Sequence, residues 1–440
     1  MNVTQPYVMD DLRSASCLSS LSAAEHESHE WRLALAEALE ALQIGDFETR
    51  WEIAKHFHRF GKLAIAPLLT LLQEEADGDW ELLWFVARIL GQFQDPVTLS
   101  ALTELLKTAE NSQVAGMAAS ALAQIGTPAI ASLQELLQSP ETRLLAVQAL
   151  AQIRHLQVLP VLLQTVQDTD PAIRAVAIEA LSHYHTPEVF SVLLAALRDP
   201  AAAVRRAAVV GLGMQADPLN GPDVIQALYP LLWDLNPQVC QQVVIALGRV
   251  GTPEAAVKLG QLIQSPHTPI DLSCEAVRAL VWIGDAPALE QLQSILDQSH
   301  QVPVVAGALS GEHVQTLHRE IIVGLGRVET ASAKRFATQI LLRVLRASHP
   351  VTQVPEVRRD IAQSLGQLGQ ADAIEALLQL LADSEATVRL HAIAALKQLE
   401  SQGAYQRLQA CLHTARDASL KAGIEAALHE WSVHACLSEG

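Results

Sequence analysis

The chain has 440 residues, 50% of them hydrophobic and only 4% aromatic, with 48 acidic against 30 basic side chains and a formal net charge of -18. Charge of that sign repels nucleic-acid phosphates and anionic membrane surfaces and suits a cationic-patched protein partner. A composition dominated by Ala and Leu and poor in aromatics favours helix packed on helix, so the expected fold class is all-α.

Residues 1–30 show little apolar periodicity and read as a loosely structured N-terminal tail. They lack the basic and apolar regions of a signal peptide, and no apolar run approaches the roughly 20 residues of a membrane span, so a soluble cytoplasmic protein is expected. From Trp31 onward a phrase recurs about every 30 residues: a short turn, then Val-Arg-x-x-Ala-x-x-x-Leu-x-x-Ile-Gly. It reads Ala-Ile-Arg-Ala-Val-Ala-Ile-Glu-Ala-Leu from Ala172 and Ala-Val-Arg-Arg-Ala-Ala-Val-Val-Gly-Leu from Ala203. Such self-similarity means stacked copies of one two-helix unit, each burying its apolar face against its neighbours.

Aligning the Leu position of each second helix gives Phe57, Leu90, Leu122, Leu150, Leu181, Leu212, Leu247, Leu280, Leu325, Leu365, Leu396 and Leu428, which makes twelve repeats over residues 31–435. Longer turns are expected near 217–223, 299–313 and 347–355, where Pro and Gly interrupt the spacing, and such insertions often carry binding contacts. Asp-Pro and Ser-Pro pairs such as Asp199-Pro200 and Ser139-Pro140 open turns, because proline resists continuing the first helix. Arginine recurs at one position as Arg50, Arg143, Arg174, Arg205, Arg358 and Arg389. In three repeats a turn Asp precedes it by six residues, as Asp168, Asp199 and Asp383, which predicts an Asp–Arg ladder between stacked turns.

The signature Asp-Pro-x-x-x-Val-Arg-x-x-Ala-x-x-Ala-Leu resembles HEAT repeats, of the subtype named after phycobilisome lyases, over residues 31–435. The runs Cys240 to Arg249, Ser265 to Pro269 and Glu141 to Leu150 are similar to cyanobacterial HEAT-repeat proteins associated with the IscA-type iron–sulfur scaffold. The resemblance implies an α-solenoid whose second helices line a concave wall and bind a protein. It points to an IscA-like partner that itself carries any iron–sulfur cluster, with no intrinsic cofactor here. The alternative it implies is a phycobilin lyase or bilin chaperone acting on phycobiliproteins, or an assembly factor for a photosynthetic complex.

Helical spacing sorts the second helices into buried and outward registers. The outward register reads Trp51-Lys55-Arg59 and Trp84-Arg88-Gln92, turns bland, and sharpens again at Gln241-Ile245-Arg249, Cys274-Arg278-Trp282 and Arg319-Val323-Arg327. Tryptophan and arginine dominate interface hot spots, so Trp282, Arg278, Cys274, Arg249, Arg327, Arg319, Trp51, Lys55, Arg59, Trp84 and Arg88 are the candidate partner-binding residues. Trp51 and Trp84 fit equally well as bulky seals on an open end of the stack. Tyr184 and Trp431 fall in the register of Phe60 and are expected in the core.

Catalytic chemistry finds little support. Five cysteines, Cys17, Cys240, Cys274, Cys411 and Cys436, have neither disulfide-framework nor zinc-finger spacing. Cys240 takes the recurrent arginine position, and Cys274 sits one turn from Arg278, a cationic neighbour that would lower a thiol pKa and favour ligation of iron. His29-Glu30 and His429-Glu430 resemble the His-Glu pairs of HEAT-like deoxyhypusine hydroxylases but stand at opposite ends of the chain. His56-x-His58 and His183-x-His185 put imidazoles about 200° apart on a helix, a poor chelate. The acidic run from Glu74 to Glu81 lacks the alternation of a calcium loop, and no phosphate loop or nucleophile elbow is present. The expected function is therefore non-catalytic protein binding.

Overall fold

The computed structural model describes residues 24–74, 78–215, 221–298, 311–346 and 349–437. Much of the tail 1–30, the centres of the turns near 217–223 and 299–313, and residues 347–348 of the third long turn lie outside the described residues. The first helix, Ala24–Ile44, begins ahead of Trp31.

Helix ends follow the side chains placed there. Asp79 Oδ1 accepts hydrogen bonds from the Glu81 and Leu82 amides at 3.0 and 3.1 Å, and Asp95 and Asn236 cap Pro96–Thr108 and Pro237–Val250 in the same way. Proline opens these two helices and Pro253–Gln264, where its missing N–H costs nothing. At the other end, Gly251 and Gly284 stop second helices in the left-handed conformation, at φ 64° and 62°, which a side chain would resist.

The helices form two compact units, residues 1–181 and 182–440. In the first, five helix pairs follow one another, from Ala24–Ile44 with Phe47–Ala54 to Leu159–Thr165 with Pro171–Leu181. In the second there are seven, from Pro187–Ala196 with Ala202–Gln215 to Ala404–Thr414 with Ala418–Leu437. Among the described residues the twelve pairs match the twelve repeats of the Leu register, with Phe57 falling after its helix in the 3₁₀ segment Phe57–Ala64. Within each unit second helices pack on second helices, as Ala202–Gln215 does on Pro237–Val250 and Pro355–Leu368 on Ala386–Gln398.

The Leu register is the core. Eleven of its twelve residues, Phe57 through Leu396, are wholly buried, whereas Leu428 in the last pair is half-buried. Tyr184 and Trp431, expected in the core, are also only half-buried. Tyr184 follows the last turn of its helix, and Trp431 lies in the last pair of its unit. Next to the Leu register sits the seam between successive second helices. A Cβ on Gly213 would stand 2.8 Å from the Ala246 Cβ, and one on Gly366 would stand 2.8 Å from both the Cα and Cβ of Ala395. Glycine facing alanine therefore lets the two backbones approach closely.

The arginine ladder exists, with a different pairing from the one the spacing suggests. Arg205 Nη1 donates to the carbonyls of Asp199 and Pro200 in its own turn, at 2.8 and 2.9 Å. Its Nε and Nη2 donate to the two carboxylate oxygens of Asp234, both at 2.7 Å, in the next repeat. Arg358 repeats the arrangement with Thr352 and Gln353 behind it and Asp383 ahead. Asp168 and Asp383 thus offer their carbonyls to Arg174 and Arg389 six residues on, and their carboxylates serve Arg143 and Arg358 of the repeats before. Arg50 uses Asp79 and Glu81 similarly, which absorbs two carboxylates of the acidic run.

Two outcomes test this account. Gly366→Val should cost roughly 1–3 kcal/mol through overpacking, whereas Gly116→Ala, where a Cβ meets nothing within 4 Å, should add about 0.5–1 kcal/mol by removing a helix-interior glycine; urea unfolding reads both. Asp234 is held below the usual carboxylate range, first by its hydrogen bonds from Arg205, which outweigh the opposing effect of burial, and then by the Asn236 amide. A carboxylate depressed on folding contributes stability that is present above its unfolded pKa of about 4 and lost as pH falls through the folded value. Asp234→Asn should therefore lower stability by about 2 kcal/mol at pH 7 and flatten the loss of stability on acidification, read from urea midpoints at neutral and acid pH.

Candidate functional site

Trp282 occupies the last turn of Ile270–Ile283, just before the left-handed Gly284, and its side chain is 80% exposed. Among the described tryptophans it is the most exposed, Trp80 and Trp233 following at 44%. It borders a cleft of about 490 Å³ lined also by Val277, Arg278, Val281, Gly324 and Arg327. The floor lies between Ile270–Ile283 and Gly311–Leu325. Gly324 keeps it backbone-thin, since a Cβ there would come within 2.7 Å of Val281 Cγ2.

Arg278 crosses this floor. Its Nε donates to Glu320 Oε1 and its Nη1 to Glu275 Oε1, each at 2.8 Å. The Glu320 hydrogen bond leads the effects that raise its pKa. The guanidinium is thus held in place by carboxylates on both helices and half exposed above them. Arg327 is exposed at the mouth of the cleft, beside Glu329. The structure therefore brings Trp282, Arg278 and Arg327 together. Arg249 is exposed in the last turn of the preceding second helix, and Arg319 is tied to the buried Asp360 at 2.9 Å.

Cys274 departs from its expected place. It is 8% exposed, and burial raises its thiol pKa, as does Glu320, against an opposing influence from Arg278. Cys240 is buried as well, with its thiol raised chiefly by burial. The cationic activation expected from sequence is outweighed at Cys274, first by burial and then by the Glu320 carboxylate. Among the described residues no three His, Cys, Asp or Glu side chains are placed to hold one metal ion, and no helix is long and apolar enough to cross a membrane.

The first unit gathers its candidates differently. Trp51 and Trp84 stack at 6.5 Å, Phe47 stacks on Trp51 at 6.0 Å, and Arg88 lies 4.3 Å from the Trp51 ring. These groups satisfy one another, and both tryptophans are half-buried. Trp51, Lys55 and Arg59 do not form the single α-helical ridge expected: the helix ends at Ala54 with Lys55 as its cap, and Arg59 belongs to the tighter 3₁₀ segment Phe57–Ala64. Lys55 instead pairs with Glu52.

Sequence reasoning missed Glu320, Val281 and Gly324. The signal available was Gly324-Leu325-Gly326, a second glycine beside the seam glycine. Because Trp282 makes its surface without contributing to the core, Trp282→Ala should leave the unfolding free energy within about 0.5 kcal/mol of the parent, as read by urea denaturation; a larger loss would mean that the indole is a packing residue.

A family model described as HEAT repeats matches residues 65–141, 135–213, 190–271, 225–311 and 340–429. No curated protein matches the sequence. Among solved structures, one from a study of Kap95p binding to RanGDP is 14% identical at a TM-score of 0.59, covering 90% of this chain and 60% of that one. Kap121p bound to RanGTP is 15% identical at a TM-score of 0.57, covering 91% of this chain and 48% of its own. A chain of the CpcE–CpcF phycocyanin lyase complex from a Nostoc species is 24% identical at a TM-score of 0.31, covering 34% of this chain and 99% of that one. The two Kap structures are alike in fold, and this chain spans 60% or less of their length.

Proposed function

The chain belongs to the HEAT-repeat family, and from that premise we propose that it is a non-catalytic scaffold whose second-helix face binds a protein through the Trp282 cleft. The observation that carries this reading is an indole 80% exposed that lines one cleft with Arg278 and Arg327 on a chain of net charge -18. Arg278 is already fixed by Glu275 and Glu320, so little side-chain freedom is lost when a partner covers it. An aromatic anchor with pre-ordered arginine beside it is the composition of interface hot spots. The partner we propose is an IscA-type iron–sulfur assembly protein of the cytoplasm. It would carry its own cluster, because Cys240 and Cys274 are buried thiols with raised pKa values.

The same cleft supports the second reading, a phycobilin lyase or bilin chaperone, since a flat tetrapyrrole with propionates suits an indole flanked by Arg278 and Arg327. Two arms separate them. Isothermal titration with a purified IscA-type protein should give saturable binding that Trp282→Ala weakens by at least about thirtyfold, the size of a hot spot. Unchanged affinity in Trp282→Ala would sink the site. Absent binding of that protein together with a shifted absorbance band on adding phycocyanobilin would favour the bilin reading.

A further inference from the structure

The arginine ladder is interrupted in the second unit, and a cleft opens at the interruption. Arg205 and Arg358 each span from two carbonyls of their own turn to a carboxylate of the next. Between them Cys240, Ser273 and His318 hold the same position, seven residues before Leu247, Leu280 and Leu325, and Cys240, the first of the three, lines a cleft. The Cys240 Sγ donates to the Asp234 carbonyl at 3.2 Å, the acceptor that corresponds to Asp199 O for Arg205. A thiol cannot reach onward to the next turn, as a guanidinium does. The space that an arginine fills in the Arg205 and Arg358 rungs is here part of a cleft of about 540 Å³.

Of the carboxylates in its walls, Asp234 is already paired with Arg205 and Glu275 with Arg278, which leaves Asp271 to meet a further guanidinium. On one side lie the turn residues Asp234 and Leu235 beside Cys240; on the other lie Asp271 and Glu275, in the first turns of Ile270–Ile283. Trp233 is 44% exposed and lines the cleft, offering a face on which a guanidinium stacks. His267 stands where the ladder Asp would be, so the carboxylates of this rung come from the helix and not from the turn. Fully exposed Leu235 and half-exposed Trp233 give an apolar rim for the stem of a long side chain.

We propose that this cleft is an arginine-reading subsite: an arginine side chain presented by a partner protein enters between Cys240 and Asp271 and completes the rung at Cys240. The subsite is separate from the Trp282 cleft and does not rest on it. An acidic chain that leaves open a slot shaped for its own arginine selects a basic segment over an acidic one, and a guanidinium over an ammonium by its planar fork.

The test uses N-acetyl-argininamide as probe, titrated into the full chain and followed by saturation-transfer NMR, with the neutral isostere N-acetyl-citrullinamide as comparator. The arginine probe should bind at least about fivefold more tightly, the worth of one charge-assisted hydrogen bond. Asp271→Asn, at an exposed position, should erase most of that difference. Cys240→Arg should abolish binding by filling the slot and should raise the thermal midpoint by completing the rung. Trp282→Ala should leave probe binding unchanged, which separates this subsite from the proposed partner face. Equal binding of the two probes, no binding of either, or arginine binding that survives Cys240→Arg would each overturn the proposal. Should Cys240→Arg fail to fold, the comparison of the two probes on the parent chain and on Asp271→Asn decides.

Discussion

Close approach of successive second helices is the constraint on which the remaining structure depends. Gly213 against Ala246 and Gly366 against Ala395 bring backbones near enough that neither glycine could carry a side chain without displacing its neighbour. That spacing fixes how far one turn lies from the next. Only then do Arg205 and Arg358 reach a carboxylate 29 or 25 residues away with both ends of the guanidinium fork in use. The apolar register drives the stacking and the arginines fix its alignment, because a bidentate ion pair tolerates little slippage.

A repetitive core makes departures from the repeat conspicuous in energy as well as in pattern. Trp282 leaves most of its side chain in water, a position no packing argument explains. Arg278 next to it is oriented by Glu275 and Glu320 and belongs to the surface as a positioned donor more than as a free positive charge. The Cys240 rung departs in the opposite sense, with a short thiol at the position where Arg205 and Arg358 insert a guanidinium. Both places share the logic that a stacked array offers regularly spaced slots and that recognition needs only a few of them altered.

How far the sequence could be read depended on the range of the interaction. The Leu register was legible because burial recurs in every repeat, and eleven of its twelve members are wholly buried. The ladder was half legible: the recurrent arginine marked its position, but the nearest Asp in sequence supplies a carbonyl, and the carboxylate comes from the next repeat. In the first unit the spacing of Trp51, Lys55 and Arg59 assumed a helix that stops at Ala54 and gives way to a tighter segment containing Gly61 at φ 54°. Spacing alone places Cys274 outward with Arg278, yet eight positions along a helix turn the face by about 80°, so the ridge that ends exposed at Trp282 begins buried at Cys274.

By itself the sequence determined the helical class, the number of helix pairs, the turns that proline opens, and the residue that enters the core in eleven of the twelve pairs. These follow from local propensity and from periodic burial, both encoded within one repeat. Tertiary structure alone decided which carboxylate each arginine meets, that Glu320 and Gly324 complete the cleft beside Trp282, and that Cys240 leaves an arginine-sized opening. Those depend on distances between residues of different repeats, which exist only once the helices are stacked.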